Sequence, residues 1–402
     1  MPCVNETTVQ RLADLAVSFG ANVQPGQIVC IHTEVTRAPV ARAVAEKAYA
    51  AGARHVEVSY ADAFARRARL EHGVEDSIGY APSWQVDRVR EMGEQRVALI
   101  QLDGGLDPAA TRGLDPLRIA NDQSPVRQEY IRLINERAMN WTIVACPSAE
   151  WAREVHPHLP EDEALERLWA QVTTMCRLDE DDPVAAWRQR MDRLGEVAER
   201  LTGHRFDRLH FQGPGTDLSV GLLPSSRWMA ASFATAEGIE HFPNLPSEEI
   251  FTTPDPARVE GVVHSTKPLD IEGTLVEGLT VRFEGGRAVS IDADTGAELL
   301  RARAARDEGA ARLGEVALVD GEGRVGAQDT VFLTTLIDEN AASHVALGNA
   351  YSFVVEDEAD RERANDSSIH VDFMIGSPDV TVDGITSGGE RVPVLHHGQW
   401  QV

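Results

Sequence analysis

Four short strand-like runs in the first half of the chain, at residues 28–31, 55–59, 97–101 and 141–145, alternate with segments of helical pattern. This alternation restricts the fold more than any other feature, because strands separated by helices are the mark of a parallel sheet covered by its crossovers. Residues 9–19 place Leu12, Leu15, Ala16 and Phe19 on one helical face. Gln24-Pro25-Gly26 is a turn, and residues 39–51 read as a helix ended by Gly52. Acidic, amphipathic helices are expected over 161–174 and 183–201. After about residue 203 the texture changes to strand-like runs with glycine turns, at 209–212, 218–222, 260–264, 279–283 and 288–292. The expectation is therefore an N-terminal α/β domain with a mainly parallel sheet, 1–203, and a C-terminal α+β domain, 204–402. Gly285-Gly286 sits between two of the runs and reads as a hairpin turn. The polar run 356–363 reads as a solvated loop or insertion.

With 402 residues, 43% hydrophobic and 25% charged, the composition is that of an ordinary globular protein. A net charge of −26 argues against nucleic-acid and anionic-membrane partners. No run of about 20 apolar residues is present, and the first residues lack a basic segment followed by an apolar one. Cys3, Cys30, Cys146 and Cys176 are scattered without zinc-site or redox spacing. Together these features lead us to expect a soluble, cytoplasmic chain. The 38 basic residues comprise 36 arginines and only Lys47 and Lys267. Where arginine is so favoured, a retained lysine is a candidate for a role that guanidinium cannot fill. Lys267 follows a strand-like run, and we expect it to bind a substrate carbonyl or carboxylate.

Phosphate-binding loops, dinucleotide fingerprints, nucleophile elbows and His-Glu-x-x-His helices are all missing. Four segments of the second half instead carry charge into apolar surroundings. Pro246-Ser247-Glu248-Glu249-Ile250-Phe251 holds two carboxylates, and Leu313-Gly314-Glu315-Val316-Ala317-Leu318-Val319 places one in an apolar strand. Asp338-Glu339-Asn340-Ala341-Ala342-Ser343-His344 carries a histidine in a small-residue helix or loop. In His370-Val371-Asp372-Phe373 the imidazole and carboxylate lie two apart, hence on one face of a strand. Buried groups of this kind are costly unless paired or metal-bound. Each also has a plain structural reading: a His370–Asp372 hydrogen bond, an arginine partner for Glu315, a satisfied core histidine at 344, helix N-terminal acids at 248 and 249. Jointly they offer the ligand count of a dinuclear hydrolase site.

These segments resemble the aminopeptidase T / aminopeptidase S family of dinuclear metalloaminopeptidases, the thermophilic-aminopeptidase family. The likeness runs from Val23-Gln24-Pro25-Gly26-Gln27 through Asn140-Trp141-Thr142-Ile143-Val144-Ala145 to Asn244-Leu245-Pro246-Ser247-Glu248-Glu249, Asp338-Glu339-Asn340-Ala341 and His370-Val371-Asp372-Phe373-Met374-Ile375-Gly376-Ser377. The resemblance implies Glu249, Glu315, His344, His370 and Asp372 as ligands of two divalent ions, zinc, cobalt or manganese. Glu248 is the runner-up to Glu249, and Glu315 is the bridging carboxylate. Tyr351 matches the active-site tyrosine, and Glu339 sits beside the site, sharing with Glu315 the candidacy for proton shuttle. The resemblance further implies peptide substrates with a free N-terminus and a homodimer. The segment Ser225-Ser226-Arg227-Trp228-Met229-Ala230 departs from the glycine-rich family pattern, which puts substrate preference in question. Two rivals remain at this point. His344, His370 and Asp372 alone would suit a mononuclear iron ring-cleaving dioxygenase; a non-catalytic metal-binding protein is the other.

Overall fold

The computed structural model describes residues 5–104, 107–271 and 273–402, so Cys3 lies outside the described residues. Two compact units emerge. The first draws on the chain up to Leu114, on Asn121–Arg190 and on Ala231–Ser247; the second holds Asp115–Ala120, Met191–Ala230 and Glu248–Val402. The division does not follow a single point in the sequence. Gly203, where the composition changes, lies near the end of a helix, Pro183–His204, that crosses it.

The first unit is built on five strands: β1 (Ile28–Glu34), β2 (His55–Ala61), β3 (Ala98–Asp103), β4 (Trp141–Ala145) and β5 (Asn244–Leu245). They pair in parallel in the order β5-β4-β3-β1-β2, the mainly parallel α/β sheet expected from the alternation. Central strands covered on both faces must be apolar throughout, and β3 and β4 are buried along nearly their whole length, whereas the edge strand β2 is largely accessible. Helix α1 (Glu6–Leu15) begins where the Asn5 side chain accepts the Thr7 amide at 3.0 Å, satisfying one of the donors a first turn leaves open. Helix α2 (Ala38–Ala50) tolerates Pro39 in its first turn, where no N–H is required. The short strand β5 joins this sheet from far along the chain, which is why 231–247 belongs to the first unit.

Beside the two-stranded ribbon Leu269–Ile271/Thr274–Val276, the second unit holds two large antiparallel sheets. The larger has eight strands; its hairpin Thr280–Glu284/Arg287–Asp292 turns at Gly285 and Gly286 with φ of 55° and 78°, the signature of a two-residue turn that needs positive φ at both positions. The smaller comprises β6 (Glu249–Thr252), β7 (Leu313–Val319), β8 (His344–Gly348) and β9 (His370–Met374), with Met229–Ala230 at the edge beside β6. Nearly every residue of β6 to β9 is buried. Antiparallel sheets commonly leave one face wet; here both faces are covered, so each polar side chain on them needs a partner. Residues 356–363 are mostly exposed and include one short helix, Glu358–Arg361. Among the described residues no helix is long and apolar enough to cross a membrane. Cys30, Cys146 and Cys176 are buried free thiols.

Candidate metal centre

One face of the smaller sheet collects the charged residues. Residues directly opposite in an antiparallel pair share a face, as do alternate residues along a strand. The pairings Glu249↔Val319, Glu315↔Ala346, Ala317↔His344, Ala346↔Asp372 and Gly348↔His370 therefore put Glu249, Glu315, His344, His370 and Asp372 on the same side. The expected strand geometry of His370 and Asp372 holds. His344 opens a strand instead of sitting in a helix or loop, because the short helical turn Glu339–Ala341 stops before it. Glu248 and Glu249 likewise belong to a strand entry and not to a helix N-terminus. Glu248 is fully buried elsewhere, its carboxylate accepting the Arg324 amide at 3.2 Å.

Small residues make room on this face. Ala317, Ala346 and Gly348 occupy the positions between the charged side chains, and Ala346 lies in the row from Glu315 to Asp372. The pairing of β7 with β8 shifts between Leu313 and Glu315. Such a bulge re-aims the side chain that follows it, and it requires Gly314: a Cβ there would meet the Gly348 carbonyl oxygen at 2.3 Å. Gly348 has φ of 106°, and a Cβ would meet the Ile369 carbonyl oxygen at 2.2 Å. These small residues were missed in the sequence; the alternation His344-x-Ala346-x-Gly348 was the signal that could have found them.

Two clusters result, Glu249–Glu315–His344 and Glu315–His370–Asp372, with Glu315 common to both. Its two oxygens face opposite ways. Oε1 lies 4.0 Å from His344 Nε2, and Oε2 lies 3.3 Å from His370 Nε2. Asp372 Oδ1 is 3.3 Å from His370 Nε2. Glu249 Oε2 lies 3.1 Å from His344 Nε2, yet it is a buried atom without a hydrogen-bond partner. Both imidazoles turn their other nitrogen to a backbone carbonyl, His344 Nδ1 to Ala342 at 3.2 Å and His370 Nδ1 to Asn349 at 2.8 Å. A carbonyl only accepts, so Nδ1 carries a hydrogen and Nε2 is the nitrogen turned to the cluster, the one that would bind a metal once it gives up its proton.

The electrostatics agree. Burial, the largest influence, pushes Glu315 above the usual carboxylate range, opposed by His370. Burial pulls the His344 imidazole down, but Glu249, Asp372 and Glu315 together hold it up at about 10. His370 likewise rises against burial through Asp372 and Glu315. The protein alone thus neutralises this face by protonating its imidazoles. Metal ions would displace those protons. Three buried carboxylates around two imidazole Nε2 atoms, one of the carboxylates two-sided, fit divalent cations bound by nitrogen and oxygen.

Glu339 is buried beside the clusters, and burial followed by the charges of Asp372 and Glu249 holds its carboxyl well above the ordinary range. Its turn is fixed by Asn340, which accepts the Glu248 amide at 2.6 Å and donates to the Leu336 carbonyl at 3.1 Å. The Tyr351 ring packs 5.5 Å from the His370 ring and 5.5 Å from Phe251; burial, then the charge of Glu315, raises its phenol well above the usual value. Residues 225–230 run beside this region: Met229 pairs with Phe251, and the Ser226 hydroxyl donates to the Thr253 carbonyl at 2.6 Å. Lys267 lies outside both clusters, in the loop before the strand Leu269–Ile271. His344 and His370 sit in different clusters at opposite ends of Glu315, which disfavours a single-ion site built from both.

The comparisons with known proteins agree with this geometry. A family model described as thermophilic metalloprotease (M29) matches residues 5–400. Aminopeptidase T of Thermus aquaticus is 42% identical over 402 residues, covering 98% of each chain. Aminopeptidase AmpS of Bacillus subtilis (strain 168) is 36% identical over 398 residues, covering 96% of this chain and 97% of its own. The solved structure of wild-type AmpT from Thermus thermophilus superposes with a TM-score of 0.89 at 41% identity, over 98% of this chain and 99% of that one. With its two carboxylate–imidazole clusters on one sheet and this full-length similarity, the chain belongs to the thermophilic metalloprotease family.

Proposed function

We propose that the chain is an aminopeptidase that removes the N-terminal residue of peptides with two divalent cations, zinc, cobalt or manganese. The observation that carries this reading is Glu315, whose two oxygens serve two separate clusters. Glu249, His344 and one oxygen of Glu315 would hold one ion; the other oxygen, His370 and Asp372 would hold the second. The three ligand carboxylates and Glu339 bring four negative charges, which two divalent cations balance. When bound, the ions supply Lewis acidity toward the scissile carbonyl and lower the pKa of water toward neutrality.

Glu315 is engaged on both sides, which makes it a poor proton acceptor. Glu339 faces the same clusters without belonging to either, so it takes the proton of the attacking water and returns it to the leaving amine. The Tyr351 hydroxyl donates to the oxyanion that develops on the carbonyl oxygen. Since that charge exists only near the transition state, Tyr351→Phe lowers kcat about 100- to 1,000-fold and leaves KM nearly unchanged. Steady-state kinetics at equal metal content is the check, and an unchanged kcat removes Tyr351 from the reaction.

The acidic cluster also supports recognition of a free α-amino group. Matched peptides with free and N-acetylated termini test this: the metal-loaded protein cleaves the free peptide and leaves its acetylated twin intact. Comparable cleavage of both would mean that amino-terminal recognition is absent. The reading also includes a homodimer in the cytoplasm, to be measured by sedimentation and cell fractionation.

A further inference from the structure

The Lys267 loop is fastened to the strand that carries two of the proposed ligands. The Thr266 amide donates to the Met374 carbonyl at 2.9 Å, and its hydroxyl donates to the Gly376 carbonyl at 2.7 Å. Met374 is the partner of His344 across β8 and β9. Thr266 thus sits one strand spacing beyond Met374, on the side away from His344. Two such spacings put the Cα of the next residue, Lys267, on the order of 10 Å from that of His344. The flexible four-carbon stem spans much of that gap.

Lys267 is half-buried and makes no ion pair or hydrogen bond with another described side chain. The nearby acid does not take it up. Its charge is felt by Asp338, the buried residue just before Glu339, but the Asp338 carboxylate is occupied by the amides of Phe332 and Thr334, at 2.8 and 3.2 Å. By contrast Lys47 pairs with Asp14 at 3.6 Å. A partly desolvated ammonium left open in a chain with 64 acidic residues is suited to an anion that the chain does not contain.

We propose that Lys267 binds the C-terminal carboxylate of short peptides, so that the centre favours di- and tripeptides. The inference rests on the aminopeptidase reading above. An extended peptide advances about 3.3–3.6 Å per residue. The carboxylate of a di- or tripeptide therefore falls about 7–10 Å from its amino end, the span between the clusters and the Lys267 loop.

The test is the ratio of kcat/KM for Leu-Gly-Gly over that for its C-terminal amide, measured on the metal-loaded protein. The parent favours the free acid about tenfold, through KM, as a charge-assisted contact of about 1.4 kcal/mol would give. Lys267→Met and Lys267→Gln each bring the ratio to about one, and either variant suffices if the other fails to fold. Lys47→Met keeps the parental ratio. A parental ratio of one, or a tenfold ratio retained by the Lys267 variants, overturns the proposal. If the parent hydrolyses neither peptide, the aminopeptidase reading itself falls; brisk, equal hydrolysis of both rejects only the role of Lys267.

Discussion

Dialysis against a chelator abolishes hydrolysis of a leucyl anilide, and zinc, cobalt or manganese restores it. The loss is expected to be near complete, because the polarised carbonyl and the activated water depend on the cations together. What remains is a buried face bearing Glu249, Glu315 and Asp372 with two imidazoles, and no member of it replaces a Lewis acid. Metal analysis of the restored protein gives two equivalents per chain. One equivalent with full activity would overturn the two-ion arrangement and return a mononuclear site to consideration, and full activity in the metal-free protein would end the metal-dependent reading. Thermal unfolding offers a readout besides activity. A cation at 100 times its Kd stabilises the folded state by about 2.7 kcal/mol per site, so the melting temperature rises with added metal.

Glu339→Gln lowers kcat about 100- to 10,000-fold, the range of a lost general base, with two metal equivalents retained. The amide keeps the shape and removes the proton acceptor. A carboxylate works as base only when deprotonated, so the activity of the parent rises with pH through the titration of Glu339, and the variant lacks that limb. Metal content distinguishes this outcome from a ligand role. If Glu339→Gln loses an ion, Glu339 is a ligand and not a shuttle; if kcat is unchanged with both ions present, the proton goes elsewhere.

The candidate ligand types were legible because of what they cost. A carboxylate in Leu313-Gly314-Glu315-Val316 or an imidazole two residues from an aspartate in an apolar strand is improbable without a partner, and period-two alternation already put His370 and Asp372 on one side. The choice between Glu248 and Glu249 was not available from physics alone. Neighbouring residues of a strand face opposite ways, and only the pairing of Glu249 with Val319 decides which faces Glu315. His344 was misplaced in a helix or loop for a related reason: small residues in 341–346 carry little periodicity, and its strand exists because β7 and β9 flank it.

The sequence by itself determined the elements and their class, through local patterns that need no distant contact. The helices and parallel strands of the first unit, the glycine hairpin at 285–286 and the identity of the groups able to bind metal all belong there. The tertiary structure alone decided what depends on register. Pairing across β7, β8 and β9 puts Ala346 between Glu315 and Asp372, the bulge at Gly314 turns Glu315, and backbone carbonyls of Ala342 and Asn349 set both imidazole tautomers. It also returned Asn244–Leu245 to the first sheet from far along the chain. A one-residue slip in any of these strands reverses the face of every side chain on it, so the candidate centre is a property of the paired sheet, while the residues proposed to form it are a property of the chain.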